Sequence, residues 1–355
     1  MRNLLIILFL FKCFNLKSQG LIFNKDSFLS YEKIENNRAA LKTSSSLEIF
    51  APEPYPQIGS TCVAHAFSNA RTILLAKKLM ITSKANKNLL LFSPYFIYFN
   101  NKDISDNSCS NGLSLDKTAK FLLNYGFCPI SKVEYPAFYP FTTNYLCNLG
   151  QYPYNYSEDL SISLNYKVSQ IYRIESIQDI KIALSNNMPI VLGMAIPETF
   201  SNCSSSIWMP TYSDVLGKSY GHAVTVVGFD DFLYGGAVRI MNSWGSNWGD
   251  NGFVWVKYSD LKNWVYGGYA LSDESLTRGE KITEKITDEE MFSLIGKDSM
   301  TSLIAQKLVT NRKDTSTYIK ALDSDNIIKI KIPEKNKEGE HNSSKFLRTF
   351  EAIKD

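Results

Sequence analysis

Three short runs late in the chain limit its possible folds more tightly than any other feature. Ala223 to Phe229, Ala237 to Met241 and Gly252 to Tyr258 alternate apolar with other residues between glycine-rich turns, the pattern of successive strands in an antiparallel sheet. An earlier run, Pro189 to Ile196, is apolar almost throughout and reads as a buried strand. Upstream the period changes. From Ser60 to about Met80 the apolar positions Val63, Ala66, Phe67, Ala70, Ile73 and Leu74 recur at helical spacing, with Ser60 or Thr61 available as N-cap. Shorter helical stretches cover about Leu115 to Tyr125 and Ile177 to Asn186. Helices first and strands later predict an α+β architecture of two packed halves with a cleft between them.

The 355 residues are 44% hydrophobic and 21% charged, enough apolar material for a sizeable core. Residues 1–18 begin Met-Arg-Asn, run apolar from Leu4 to Phe11 and end in a polar stretch, which reads as a secretory signal peptide. Its removal takes away Arg2, Lys12 and Lys17 and no acid, so the formal charge falls from +3 to 3 − 3 = 0. A neutral mature chain has no basic excess to draw it to nucleic acid or, once the signal is cleaved, to an anionic membrane. The expected location is therefore outside the cell or in a periplasm. Residues 19–46 are polar and of mixed charge, a leader or short pro-segment; 47–272 form the main domain. Residues 273–286 have the lysine, glutamate, serine and threonine of a linker. Within 287–355 a capping box at Thr287 to Glu290 and an alternating run at Ile328, Ile330 and Ile332 suggest a small α+β appendage; a flexible tail is the alternative.

Cys62 falls in the first turn of the long helix. A thiol attacks a carbonyl as thiolate, and an ordinary cysteine, with a pKa of about 8.5, is mostly protonated at neutral pH. The unpaired N–H groups of a helix start supply part of the missing stabilisation, and a histidine brought in by the fold can supply the rest. The chain has three histidines. His65 sits one turn along the same helix and would have to reach backwards, which suits packing better; His341 lies in the charged tail. His222 opens the strand Ala223 to Phe229, where a rigid element can present its ring to a cleft. Asn242 follows the next strand and is placed to orient that ring.

The three blocks Gln57-Ile-Gly-Ser-Thr-Cys62-Val-Ala-His-Ala-Phe-Ser68, Gly221-His222-Ala-Val and Asn242-Ser-Trp-Gly-Ser-Asn-Trp-Gly resemble the signatures of the papain-like cysteine peptidases, over roughly residues 48–272. The resemblance implies a two-lobed α+β fold and an exported, bacterial-type member with a C-terminal extension. It implies Cys62 as nucleophile, His222 as general base and acid, Asn242 as the group that holds the imidazole, and Trp244 as a shield for that contact. Peptides or proteins would be the substrates, with no metal or organic cofactor. A peptide-binding relative without activity, an aminopeptidase and an amide ligase would carry the same blocks. Three departures stand out. Gly59 occupies the place of a cysteine three residues before the nucleophile; Cys62 and His222 are 222 − 62 = 160 residues apart; and the family's oxyanion glutamine position, six before the cysteine, holds Pro56, with Gln57 one place later. Of the other cysteines, Cys109, Cys128, Cys147 and Cys203 are expected to form two disulfides, in any of three pairings.

Overall fold

The computed structural model describes residues 20–35, 41–106, 110–133 and 155–273, together with three short strands between 318 and 352. The signal peptide, the linker beyond Asp273 and the capping box at Thr287 lie outside the described residues. In chain order the first elements are β1 (Leu21–Ile22), α1 (Lys25–Leu29) and β2 (Ser44–Ser46), followed by the long helix α2 (Cys62–Lys78). α3 (Lys84–Asn88), α4 (Pro94–Asn101), β3 (Leu113–Ser114), α5 (Leu115–Tyr125) and α6 (Tyr156–Leu164) complete the helical half.

α2 is buried on every side from Cys62 to Ala76, as a helix apolar around most of its circumference should be. Thr61 is its N-cap residue, but its side chain makes no capping bond; the hydroxyl instead donates to the Ile58 carbonyl at 2.8 Å. The helix therefore begins without a side-chain acceptor on its first N–H groups, and its donors stay available to whatever lies in front of Cys62. Lys77 and Lys78 stand in the last turn, where cations suit the helix dipole. α4 and α5 start in the ordinary way, on Ser93 and Ser114 hydroxyls that accept from Phe96 and Lys117 backbone N–H groups. α5 stops at Gly126, whose φ of 78° is open to glycine at little cost.

The second half is β4 (Gln170–Ile174), α7 (Ile177–Ser185), β5 (Ile190–Ile196), α8 (Glu198–Ser201), β6 (Ile207–Trp208), α9 (Tyr212–Leu216), β7 (Tyr220–Asp230), β8 (Ala237–Met241), β9 (Phe253–Lys257), α10 (Tyr258–Leu261) and β10 (Val265–Ser272). The strands form one sheet in the order β4-β10-β5-β7-β8-β9-β6, with β2 also pairing on β7. Every pairing is antiparallel except β6 on β9. The expected strands and the helices at 115–125 and 177–185 are present, and α2 packs its buried face on the sheet, where Thr225 of β7 donates to the Ala66 carbonyl at 3.1 Å. The fold is the expected α+β arrangement. The strand anticipated near Ile328 is β12 (Ile327–Lys331), between β11 (Tyr318–Leu322) and β13 (Glu351–Ala352) in a separate three-stranded sheet.

The cysteines depart from expectation. Cys203 is a free buried thiol whose sulfur lies 3.6 Å from the Ser205 carbonyl oxygen. Four cysteines thus cannot pair off as two disulfides, and no disulfide is formed among the described residues; Cys109 and Cys147 lie outside them. The Ser60 hydroxyl donates to the Ser110 carbonyl at 2.8 Å.

Candidate active site

Cys62 meets the sheet at the end of β7. The backbone N–H groups of Ala223, Val63 and Cys62 itself favour the thiolate of Cys62, Ala223 most of the three. Since Ala223 follows His222, that contact sets the thiol beside the strand end that carries the imidazole. His222 Nε2 is 2.8 Å from Asn242 Oδ1, a carbonyl oxygen that only accepts, so the ring carries its proton on Nε2. Nδ1 is then the basic nitrogen. It is buried and makes no hydrogen bond.

Asn242 is fixed on both sides: its backbone N–H donates to the Gly252 carbonyl at 2.9 Å, and its Oδ1 accepts a second bond from the Ser243 N–H at 2.8 Å. The Trp244 ring stacks on His222 with centroids 4.7 Å apart. Phe200 and Trp248 meet the outer side of Trp244 at 5.9 and 5.5 Å. Trp248 donates its indole N–H to the Phe200 carbonyl at 3.1 Å and is a core residue. Gln57 lies against the same strand end: its backbone N–H donates to the Ser243 carbonyl at 2.7 Å, its Oε1 accepts from the Ser243 hydroxyl at 2.7 Å, and its Nε2 donates to the Gly59 carbonyl at 2.8 Å. His65 stays behind the site, fully buried, with Nδ1 on the Thr61 carbonyl at 3.1 Å.

The structure thus gathers Cys62, His222, Asn242 and Gln57 at one point, and the family comparison matches the same stretch: residues 60–265 fit the pattern described as papain family cysteine protease. The chain belongs to the papain family of cysteine proteases. Among its relatives, an uncharacterized peptidase C1-like protein of Acanthamoeba polyphaga mimivirus is 26% identical over 245 residues, covering 64% of this chain and 68% of that one. Vinckepain-1 of Plasmodium vinckei is 27% identical over 172 residues, 38% of this chain and 32% of its own length. Of solved structures, xylellain, a cysteine protease from Xylella fastidiosa, superposes with a TM-score of 0.58 at 23% identity over 72% of this chain and 96% of that one. Procathepsin B S9 from Trypanosoma congolense gives 0.56 at 18% identity, over 73% and 87%. These two likenesses show the fold.

In this papain-family chain the dyad is closed off: Cys62 and His222 are both 0% exposed. The segment Gly20 to Lys33 runs past the strand end that carries His222. β1 pairs with β3 in parallel, Leu21 opposite Leu113, and the Leu113 N–H donates to the Gly20 carbonyl at 3.1 Å. The segment passes so close to the dyad that a methyl group on Gly221, next to His222, would stand 2.9 Å from the Leu21 carbonyl oxygen. On Gly193 of β5 it would stand 3.0 Å from Leu21 Cδ2. Beyond Leu21, Phe28 packs edge-on against Tyr269 at 5.5 Å, and the Tyr31 hydroxyl donates to the Asp116 carbonyl at 2.8 Å. Arg173 closes the far end, donating from its guanidinium to the Leu29 carbonyl at 3.0 Å and to Tyr31, and from its backbone N–H to the Glu32 carbonyl at 2.8 Å.

Burial decides the protonation state in this closed form. It pushes the Cys62 thiol up to about 12 in spite of the three N–H groups, and pulls the His222 imidazole down to about 4 in spite of its bond to Asn242. Between those values both groups are neutral. Ser243, Gly193, Gly221 and Arg173 were not singled out from sequence. Ser243 and Gly221 could have been, since they sit inside the Asn242 and His222 blocks; Gly193 and Arg173 matter only because a distant segment lies on them.

Proposed function

We propose that the chain hydrolyses peptide bonds through a thioester formed on Cys62, and that residues 20–33 hold it in an inactive form until they leave the cleft. The observation that carries the reading is the His222–Asn242 bond, which leaves Nδ1 as the base beside a thiol at an uncapped helix start. With the segment displaced, water reaches the dyad, the thiol pKa falls and the imidazole pKa rises, and the proton passes from sulfur to Nδ1. The thiolate attacks the substrate carbonyl. The oxyanion is held by the Cys62 backbone N–H, with the Gln57 amide as the second donor. His222 returns the proton to the leaving amine, then takes one from a water molecule that cleaves the thioester and regenerates the thiol. Asn242 keeps the ring in register throughout, and Trp244 keeps water off that contact. The intact set of Cys62, His222 and Asn242 supports an enzyme over a peptide-binding relative that has lost activity. The apolar run at Leu4 to Phe11 supports export, and among the described residues no helix is long and apolar enough to cross a membrane.

Leu21→Asp tests both parts. A carboxylate opposite Leu113 and against Gly193 should expel the segment, raise peptide hydrolysis at least tenfold and let iodoacetamide alkylate Cys62 below pH 7, where an ordinary thiol is protonated. Cys62→Ala in the same background should abolish hydrolysis. Activity surviving Cys62→Ala would end the thiol mechanism, and unchanged hydrolysis and labelling in Leu21→Asp would end the inhibitory role.

A further inference from the structure

An extended chain that lies beside the dyad must pair with β3, because the Leu113 N–H is the donor that β1 uses to run past His222. Two residues have no sheet of their own to keep them flat, so something else must hold that edge. The loop ahead of β3 is held by one carboxylate. Asp106 is 2% exposed, and its oxygens accept from the Ser110 N–H at 3.2 Å, the Asn111 N–H at 3.3 Å and the Tyr98 hydroxyl at 2.7 Å. The same Tyr98 hydroxyl, with one proton to give, also lies 2.5 Å from the Asn111 carbonyl, so α4 meets the loop through this side chain. On the other side the Ser60 hydroxyl, two residues before the nucleophile, holds the Ser110 carbonyl at 2.8 Å. Lys102 Nζ fixes the Asp106 carbonyl at 2.6 Å. Ser110 and Asn111, the start of the cysteine helix and α4 are thereby joined around one buried carboxylate.

We infer that Asp106 is a positioning residue for substrate: it sets Leu113 at the height where an extended peptide can pair with it and present its carbonyl to Cys62. The inference rests on the peptidase reading of the cleft. The bonds of Asp106 described above go to Tyr98, Lys102, Ser110 and Asn111, so its loss should spare the chemistry of small reagents and impair that of extended ones. The two are separated by alkylating Cys62 in the full chain with iodoacetamide and with a tetrapeptide carrying an iodoacetyl group. In each case the sulfur forms a bond to the methylene carbon as iodide leaves. Any loosening of the 20–33 segment admits both reagents and largely cancels in the ratio of the two rates. Asp106→Ala should lower the tetrapeptide-to-iodoacetamide ratio at least tenfold, with the iodoacetamide rate equal to or above that of the unaltered chain. Asp106→Asn, which keeps one acceptor oxygen, should lie between. If the alanine variant does not fold, Tyr98→Phe removes one donor to Asp106 and should lower the ratio about threefold. A ratio unchanged within twofold in the folded variants overturns the inference. The peptidase reading has its own separate outcome: it falls if Cys62→Ala still hydrolyses peptides, whatever the alkylation ratio shows.

Discussion

Two pieces of the N-terminal leader, only eleven residues apart, are attached to the protein in opposite ways. Ser44 to Ser46 is a strand of the main sheet, paired with Gly228 to Asp230, and Leu47 follows it into the core at 1% exposure. The Leu47 N–H donates to the Val227 carbonyl at 2.6 Å, and the Ser45 hydroxyl to the Leu184 carbonyl at 2.9 Å. Gly20 to Lys33 instead has a two-residue pairing, with Phe28 buried at 4% exposure but Ile22 54% exposed, and its far end is held by Arg173, Gln170 and Glu175 through polar contacts. The first piece is integral and the second is an occupant. Within residues 19–46, then, one stretch is a strand of the main sheet and the other is not. A strand that completes a sheet cannot leave without exposing its neighbour's backbone groups, whereas an occupant held by partly exposed polar contacts can.

The largest effect that would break this comparison is on stability. Leu47→Ala should cost about 2–5 kcal/mol, as for other buried leucines, while Leu21→Ala should cost less and raise activity; denaturant midpoints and a peptide assay on the same samples decide it. Equal losses of stability would make both pieces integral. Next comes the catalytic frame. Gln57→Ala should lower kcat by about 10²–10³ with KM little changed, and by the same factor with or without Leu21→Asp, because Gln57 is tied to Ser243. A loss confined to KM would move the oxyanion role elsewhere. The smallest effect sharpens the picture of the far end: Arg173→Ala removes the guanidinium donors to Leu29 and Tyr31 and should raise hydrolysis only a few-fold, since β1 stays paired. A rise as large as that of Leu21→Asp would show that Arg173 holds the whole segment.

Much of the frame was legible in the residues. The period-two runs located β7, β8 and β9, a continuous apolar run located β5, and helical spacing located α2, α5 and α7. β1, β3 and β6 were invisible, since two residues carry no period. The Gln57 register also looked wrong by one place in sequence. In space the Gln57 side chain accepts from the Ser243 hydroxyl, and Pro56 bridges to Trp244.

By itself the sequence determined which residue types meet: a cysteine at a helix start, a histidine at a strand end and an asparagine after the next strand, each set by local periodicity and by block order. Only the tertiary structure decided that the dyad is covered, that both its groups are neutral while covered, and that Cys203 remains a thiol. Those outcomes depend on desolvation and on approach between segments distant along the chain, and neither leaves a trace in the spacing of residues along one segment.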